Sequence, residues 1–202
     1  LKIEFRIKLE LEEYTIKKTR RGNMRATGIV RKIDNLGRVV IPKEIRKKMQ
    51  IDNGNTLEIF VDKDDTVILK KYSPVREMGD LGGYIDTLEE TTNCNVLITD
   101  TDKIVKTSDE FKEYTGHLLG EKIKEIIESR KTNTIDNAED EDLCVDFRSK
   151  EQELGSLLIT PILKQGDILG AVILSSQEEE LGDFETKITE ITAKVISKKL
   201  GL

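Results

Sequence analysis

Tryptophan is absent, histidine occurs once and cysteine twice in 202 residues. Five Phe and four Tyr are the remaining aromatics, too few for an aromatic cage or a base-stacking platform. A single imidazole, His117, gives no basis for histidine-based metal binding or acid–base chemistry, and is read as structural. Cys94 and Cys144 cannot build a zinc site alone and are too few for a secreted disulfide scaffold. They read as small core fillers rather than nucleophiles. Long apolar runs are also missing. The stretch from Leu157 to Leu163 falls far short of the roughly 20 residues a bilayer span requires. No basic segment followed by an apolar one marks a signal peptide at the start. The expectation is a soluble cytoplasmic protein with no membrane partner.

Phosphate-binding and cation-binding signatures are equally scarce. Gly79, Gly82 and Gly83 are neither spaced nor framed for a nucleotide phosphate. The acidic run Glu139 to Asp142 lacks the glycine and terminal glutamate of a calcium loop, and reads as a solvated loop. No metal, no cofactor and no catalytic residue is expected.

Charge is plentiful but unevenly spread. The chain carries a net charge of −6. Residues 74–202 hold 28 acidic and 15 basic side chains, whereas residues 24–48 hold 8 basic ones against only Asp34 and Glu44. Screening over about 8–10 Å lets a ligand feel the nearby cluster far more than a distant acidic domain. This asymmetry is the first functional clue.

Patterning divides the chain. Residues 1–23 mix apolar and charged positions without a cap or turn, and are read as an over-extended start preceding Met24 or as an extension adding an element. In residues 24–73, Ile29, Arg31 and Ile33 share a strand face, and Asn35-Leu36-Gly37 makes a turn. Val39 to Ile41 reads as a further β-branched run, and Pro42 opens a two-turn helix ending at Met49. A hairpin follows, Thr56–Val61 and Thr66–Tyr72. Four short strands and one helix are thin for an independent core, so an obligate dimer pooling two half-cores is expected.

Ser73-Pro74 marks a boundary. Beyond it the spacing predicts a helix over 75–92, although Gly79, Gly82 and Gly83 weaken it. Strands follow at Asn95–Thr99 and Lys103–Thr107, then a helix capped by Ser108 or Asp109 and another from Gly120 to Arg130. A loop, strands at Leu143–Phe147, Leu157–Leu163 and Ile168–Ser175, and a closing helix Leu181–Leu200 capped by Gly201 complete the chain. Helices flanking an antiparallel sheet make an α+β domain of sensor type. The closing helix, with the helix at 75–92, is expected to pack against copies of itself, giving a tetramer.

The segment TGIVRKIDNLGRVVIPKEIRKKMQI, continuing to VILKKY, resembles the swapped-hairpin DNA-binding domain of the AbrB-like transition-state regulators. Gly28, Arg31, Leu36, Gly37, Arg38, Val39, Val40, Ile41 and Pro42 carry that resemblance. Element order and LLITPILKQGDILGAVILSS make residues 74–202 similar to a GAF domain. Together the two resemble the stage V sporulation protein T family. The resemblance implies an intertwined β-barrel dimer that presents basic side chains to double-stranded DNA from Arg31, Lys32, Arg38, Arg46 and Lys47. Lys47 replaces an arginine of some relatives, which removes a bidentate contact but not the attraction to phosphate. The implied role is a regulator of sporulation genes, activating and repressing in the developing spore, whose GAF-like domain holds an unidentified small effector.

Two rivals belong to other classes. Swapped-hairpin dimers also serve as antitoxins, whose toxin-binding tails are short and disordered, whereas residues 74–202 carry enough patterned apolar surface to fold. Some GAF-type domains are thiol-dependent reductases, which Cys94 and Cys144 invite for comparison. The two-turn helix is too short to act as a recognition helix, so reading through loops and DNA shape is expected.

Overall fold

The computed structural model describes residues 29–49, 51, 55–61, 66–147, 154–177 and 181–200. The expectations for residues 1–23, Gly28 and Gly201 lie outside these. The chain divides into two units, Leu1–Tyr72 and Ser73–Leu202.

In the first unit, α1 (Lys43–Lys48) is preceded by Pro42 with φ −57°, the value that suits a helix entry. Ile45 is its one buried side chain. The hairpin β1 (Leu57–Val61) and β2 (Val67–Lys71) pairs Leu57 with Lys71 and Val61 with Val67. Residues 29–33 and 38–41 form no strand here, a departure from the four strands expected. An extended segment becomes a strand only when a neighbouring strand pairs with its backbone groups, and among the described residues neither segment is paired in a ladder. Apolar side chains stay correspondingly bare: Val30, Leu36, Val40, Ile59 and Val61 are all exposed.

The second unit opens with α2 (Pro74–Glu77), capped by the Ser73 hydroxyl, and α3 (Gly82–Thr92). The single helix expected over 75–92 is thus broken between Glu77 and Gly82, around Gly79. Then come β3 (Asn95–Thr99), β4 (Ile104–Thr107), a 3-10 turn at Asp109–Tyr114 and α4 (Glu121–Ser129). Within the expected loop lie β5 (Asn133–Ile135) and the single turn α5 (Asp140–Leu143). The expected strand at 143–147 is reduced to one bridge, Cys144 to Leu119. The long hairpin β6 (Ser156–Lys164) and β7 (Asp167–Ser176) and the helix α6 (Asp183–Lys199) close the unit.

The sheet is antiparallel in the order β4-β3-β7-β6-β5. Its central strands are apolar on both faces because both are covered. Val96, Ile98, Leu158 and Val172 pack with α3 and α6, while Leu97, Leu157, Ile159 and Ile173 pack with the 3-10 turn and α4. At Gly170, with φ +157°, a Cβ would run into the Thr99 carbonyl oxygen, so β7 meets β3 more closely than a side chain allows. Between sheet and helix one buried hydroxyl satisfies another: Thr160 on β6 meets Thr189 on α6 at 2.8 Å.

Candidate nucleic-acid interface

The candidate basic side chains among residues 31–47 lie on a turn, on the extended segment that precedes it and on α1. The turn runs from Asp34 to Arg38. The Asp34 carbonyl accepts from the Gly37 N–H at 3.0 Å, and the Asp34 N–H donates to the Arg38 carbonyl at 3.0 Å. Gly37 takes φ +77°, a conformation that costs glycine little and other residues more. The Asp34 carboxylate closes the turn, its Oδ1 accepting from the N–H groups of Leu36 at 2.9 Å and Arg38 at 2.8 Å. Its Oδ2 meets Arg38 Nε at 2.7 Å. The Arg38 backbone N–H, the Arg38 guanidinium and the Leu36 N–H together hold the Asp34 carboxyl below its usual value.

This bond decides how Arg38 can act. With Nε committed to Asp34, the two terminal nitrogens form the outward edge of the fork. The side chain is 71 % exposed, so that edge faces solvent. Sequence reasoning named Arg38 and missed Asp34, counting it only as a stray negative charge. An Asx-turn residue ahead of a glycine was the available signal.

The helix α1 carries Arg46 and Lys47, the former half-buried and the latter exposed. The Arg46 backbone is fixed at both ends: its N–H donates to the Pro42 carbonyl at 2.9 Å, and its carbonyl accepts from the Ile51 N–H at 2.8 Å. Arg31 and Lys32 lie in the extended segment before the turn, both exposed; Arg31 Nη1 donates to the Val30 carbonyl at 3.2 Å. Arg31 and Lys32 adjoin the turn that presents Arg38, while Arg46 and Lys47 ride separately on the helix. All of these cations except the half-buried Arg46 are water-exposed, as groups offered to phosphate must be.

Among the described residues no three His, Cys, Asp or Glu side chains gather as a metal site. Cys94 and Cys144 are both buried, and neither is in a disulfide. They belong to the two cores on opposite faces of the sheet, so they cannot form a dithiol pair. His117 stacks on Phe147 at 4.5 Å and lies 3.4 Å from Asp146 Oδ1, an arrangement internal to the fold. In the acidic stretch, Asp142 is occupied by Lys122 at 2.8 Å. Among the described residues no helix is long and apolar enough to cross a membrane.

Comparison with known proteins agrees with this division. Residues 77–201 match the family described as stage V sporulation protein T C-terminal, transcription factor. Residues 30–77 match the family described as antidote-toxin recognition MazE, bacterial antitoxin. Over 179 residues the chain is 38 % identical to stage V sporulation protein T of Bacillus subtilis, covering 88 % of this chain and 99 % of that one. Over 51 residues it is 59 % identical to the transition state regulatory protein AbrB of the same organism, covering 25 % of this chain and 52 % of AbrB. The GAF domain of an Acinetobacter phosphoenolpyruvate-protein phosphotransferase superposes with a TM-score of 0.51 at 13 % identity, over 65 % of this chain and 84 % of that domain. That likeness shows the fold alone, a GAF-like sheet with its helices. A C-terminal match of this extent, joined to a relative aligned over nearly its whole length, places the chain in the stage V sporulation protein T family of transcription factors.

Proposed function

We propose that the protein binds promoter DNA through its first unit and regulates sporulation genes, as activator and repressor, with no catalytic step. The observation that carries this is the Asp34–Arg38 turn: an exposed guanidinium is braced by its own carboxylate inside the most basic stretch of an acidic chain. Arg31, Lys32, Arg46 and Lys47 supply further phosphate contacts. Cytoplasmic location follows from the role.

Two copies form the binding unit. Val30, Ile33, Val40, Ile59 and Val61 are exposed in one chain, and an interleaved partner buries them. A second contact joins C-terminal units into a tetramer through α6. Phe184, Ile191 and Val195 are exposed there at i, i+7 and i+11, with half-buried Ile188 completing the row.

A GAF-like fold is compatible with a small effector held between sheet and helices that alters the dimer; fold does not name the ligand. An antitoxin reading fits the first unit equally, but residues 73–202 carry a full sheet and two cores rather than a short tail. Genomic DNA recovered with the cross-linked full chain tests the proposal. Enrichment of promoter regions that is lost in Arg38→Ala supports it; equal recovery by the variant contradicts it.

A further inference from the structure

The pair formed by Arg76 and Asp100 belongs neither to the basic segment nor to either apolar core. Arg76 lies on α2, the first element of the C-terminal unit, four residues after Tyr72 ends the first. A single helical turn has no stability of its own. Two successive side chains hold it. Val75 is fully buried in the core made with α3 and α6. Arg76 Nε meets Asp100 Oδ2 at 2.5 Å, and the Asp100 side chain is only 4 % exposed.

Asp100 is more than a counter-charge. Its Oδ1 accepts from the N–H groups of Asp102 and Lys103, both at 2.7 Å, and so closes the turn between β3 and β4. It follows Thr99, whose carbonyl oxygen lies where a Cβ on Gly170 would stand. The turn is tied onward: Leu119 N–H donates to the Asp102 carbonyl at 2.8 Å, and Ile104 N–H to the His117 carbonyl at 3.0 Å. Residues 117–119 in turn hold residues 144–146, through Leu118 N–H on Asp146 Oδ1 and Val145 N–H on the Leu118 carbonyl. A hydrogen-bonded series therefore runs from α2 to the elements that pack on the other face of the sheet.

A buried carboxylate paired with a partly exposed guanidinium is a costly way to hold one turn of helix. What it secures is the attachment of α2, the element that follows Tyr72, to its own unit. We propose that the Arg76–Asp100 pair positions the linker to the DNA-binding unit, stiffening it so that the assembled chains bind DNA more tightly than loosely tethered ones. This rests on the DNA-binding reading above. A stiff tether of the right span raises the effective concentration of the second binding unit, and a slack one lowers it.

The test uses the full chain with Arg76→Met, Arg76→Lys and Asp100→Asn, and Arg38→Ala as the reference for direct DNA contact. Asp100→Asn keeps an acceptor for the turn and removes only the charge, so it carries the test if Arg76→Met fails to fold. Hydrogen exchange at the Arg76 and Met78 amides, both hydrogen-bonded within this turn, should quicken roughly tenfold in Arg76→Met and Asp100→Asn. DNA affinity of the same variants should fall roughly three- to tenfold. Arg76→Lys should restore most of both, and Arg38→Ala should weaken DNA binding without changing exchange. Faster exchange with unaltered DNA affinity, while Arg38→Ala is impaired, overturns the positioning role alone. Full DNA affinity in Arg38→Ala as well overturns the basic-face reading and this proposal with it.

Discussion

Arg38 gives both its backbone N–H and its Nε to one carboxylate, Asp34, at 2.8 and 2.7 Å. Charge counting and geometry therefore disagree about Asp34. Removing an acid beside DNA raises the net positive charge, which favours binding. Removing this acid also frees the guanidinium whose orientation the turn provides. Geometry should win: Asp34→Ala is expected to weaken DNA binding roughly three- to tenfold, and Arg38→Ala roughly tenfold or more, as each loses a charge-assisted contact. Fluorescence anisotropy at fixed salt measures both. Tighter binding by Asp34→Ala would show that Arg38 needs no brace.

The same contact has a pH signature. Bonds from the Arg38 N–H and side chain lower the Asp34 pKa from its ordinary 3.8. The folded pKa is depressed, so the stabilising contribution is present above 3.8 and lost as pH falls through the lowered value. Carboxyl-carbon NMR should place the Asp34 midpoint below 3.8 and move it back upward in Arg38→Ala. A midpoint at or above 3.8 in the unmodified protein would contradict the braced turn.

Ile59 and Val61 on β1 are exposed apolar residues on one strand face, beside Leu57. Ile59→Glu places a charge where a partner chain would bury it, at a cost of several kcal/mol. Sedimentation should show loss of the N-terminal association, DNA binding should disappear, and the near-UV signal of the C-terminal unit should persist. An unchanged assembly would mean this face is solvated.

On α6, Ile191→Glu should leave the sheet intact, because Ile191 points away from the core that buries Ala193 and Ile196. The assembly should drop from four chains to two. Retention of the tetramer would place that contact elsewhere.

Much of the C-terminal unit was legible because its strands are buried on two faces. The run LLITPILKQGDILGAVILSS reads as continuous apolar strand, and Gln165-Gly166 supplies a two-residue turn between them. Pro161 interrupts that run without breaking β6, since β5 pairs only as far as Ile159 and leaves Pro161 bonded on one side, opposite Ala171. The break at Gly79 was foreshadowed by glycine content, but its position depended on Val75 and Leu81 both reaching the core. β5 was illegible: three half-polar residues become a strand only because β6 offers an edge.

For the candidate interface the sequence disclosed the cations and hid their support. Arg31, Lys32, Arg38, Arg46 and Lys47 stand out by charge and by family likeness. The brace by Asp34 and the anchoring of Arg46 between Pro42 and Ile51 are tertiary or turn-level facts. Strand formation at 29–33 was over-read because alternation shows a face to be buried, not which chain supplies the neighbour.

The central claim is that the first unit binds DNA by concentrating positive charge on it. The most direct measurement is the salt dependence of DNA affinity for the full chain and for Arg38→Ala. With four to eight phosphate contacts, the slope of log K against log salt should be about −4 to −7, shallower by about 1 in the variant for each such contact removed. Binding that is indifferent to salt, or an identical slope in both proteins, would contradict it.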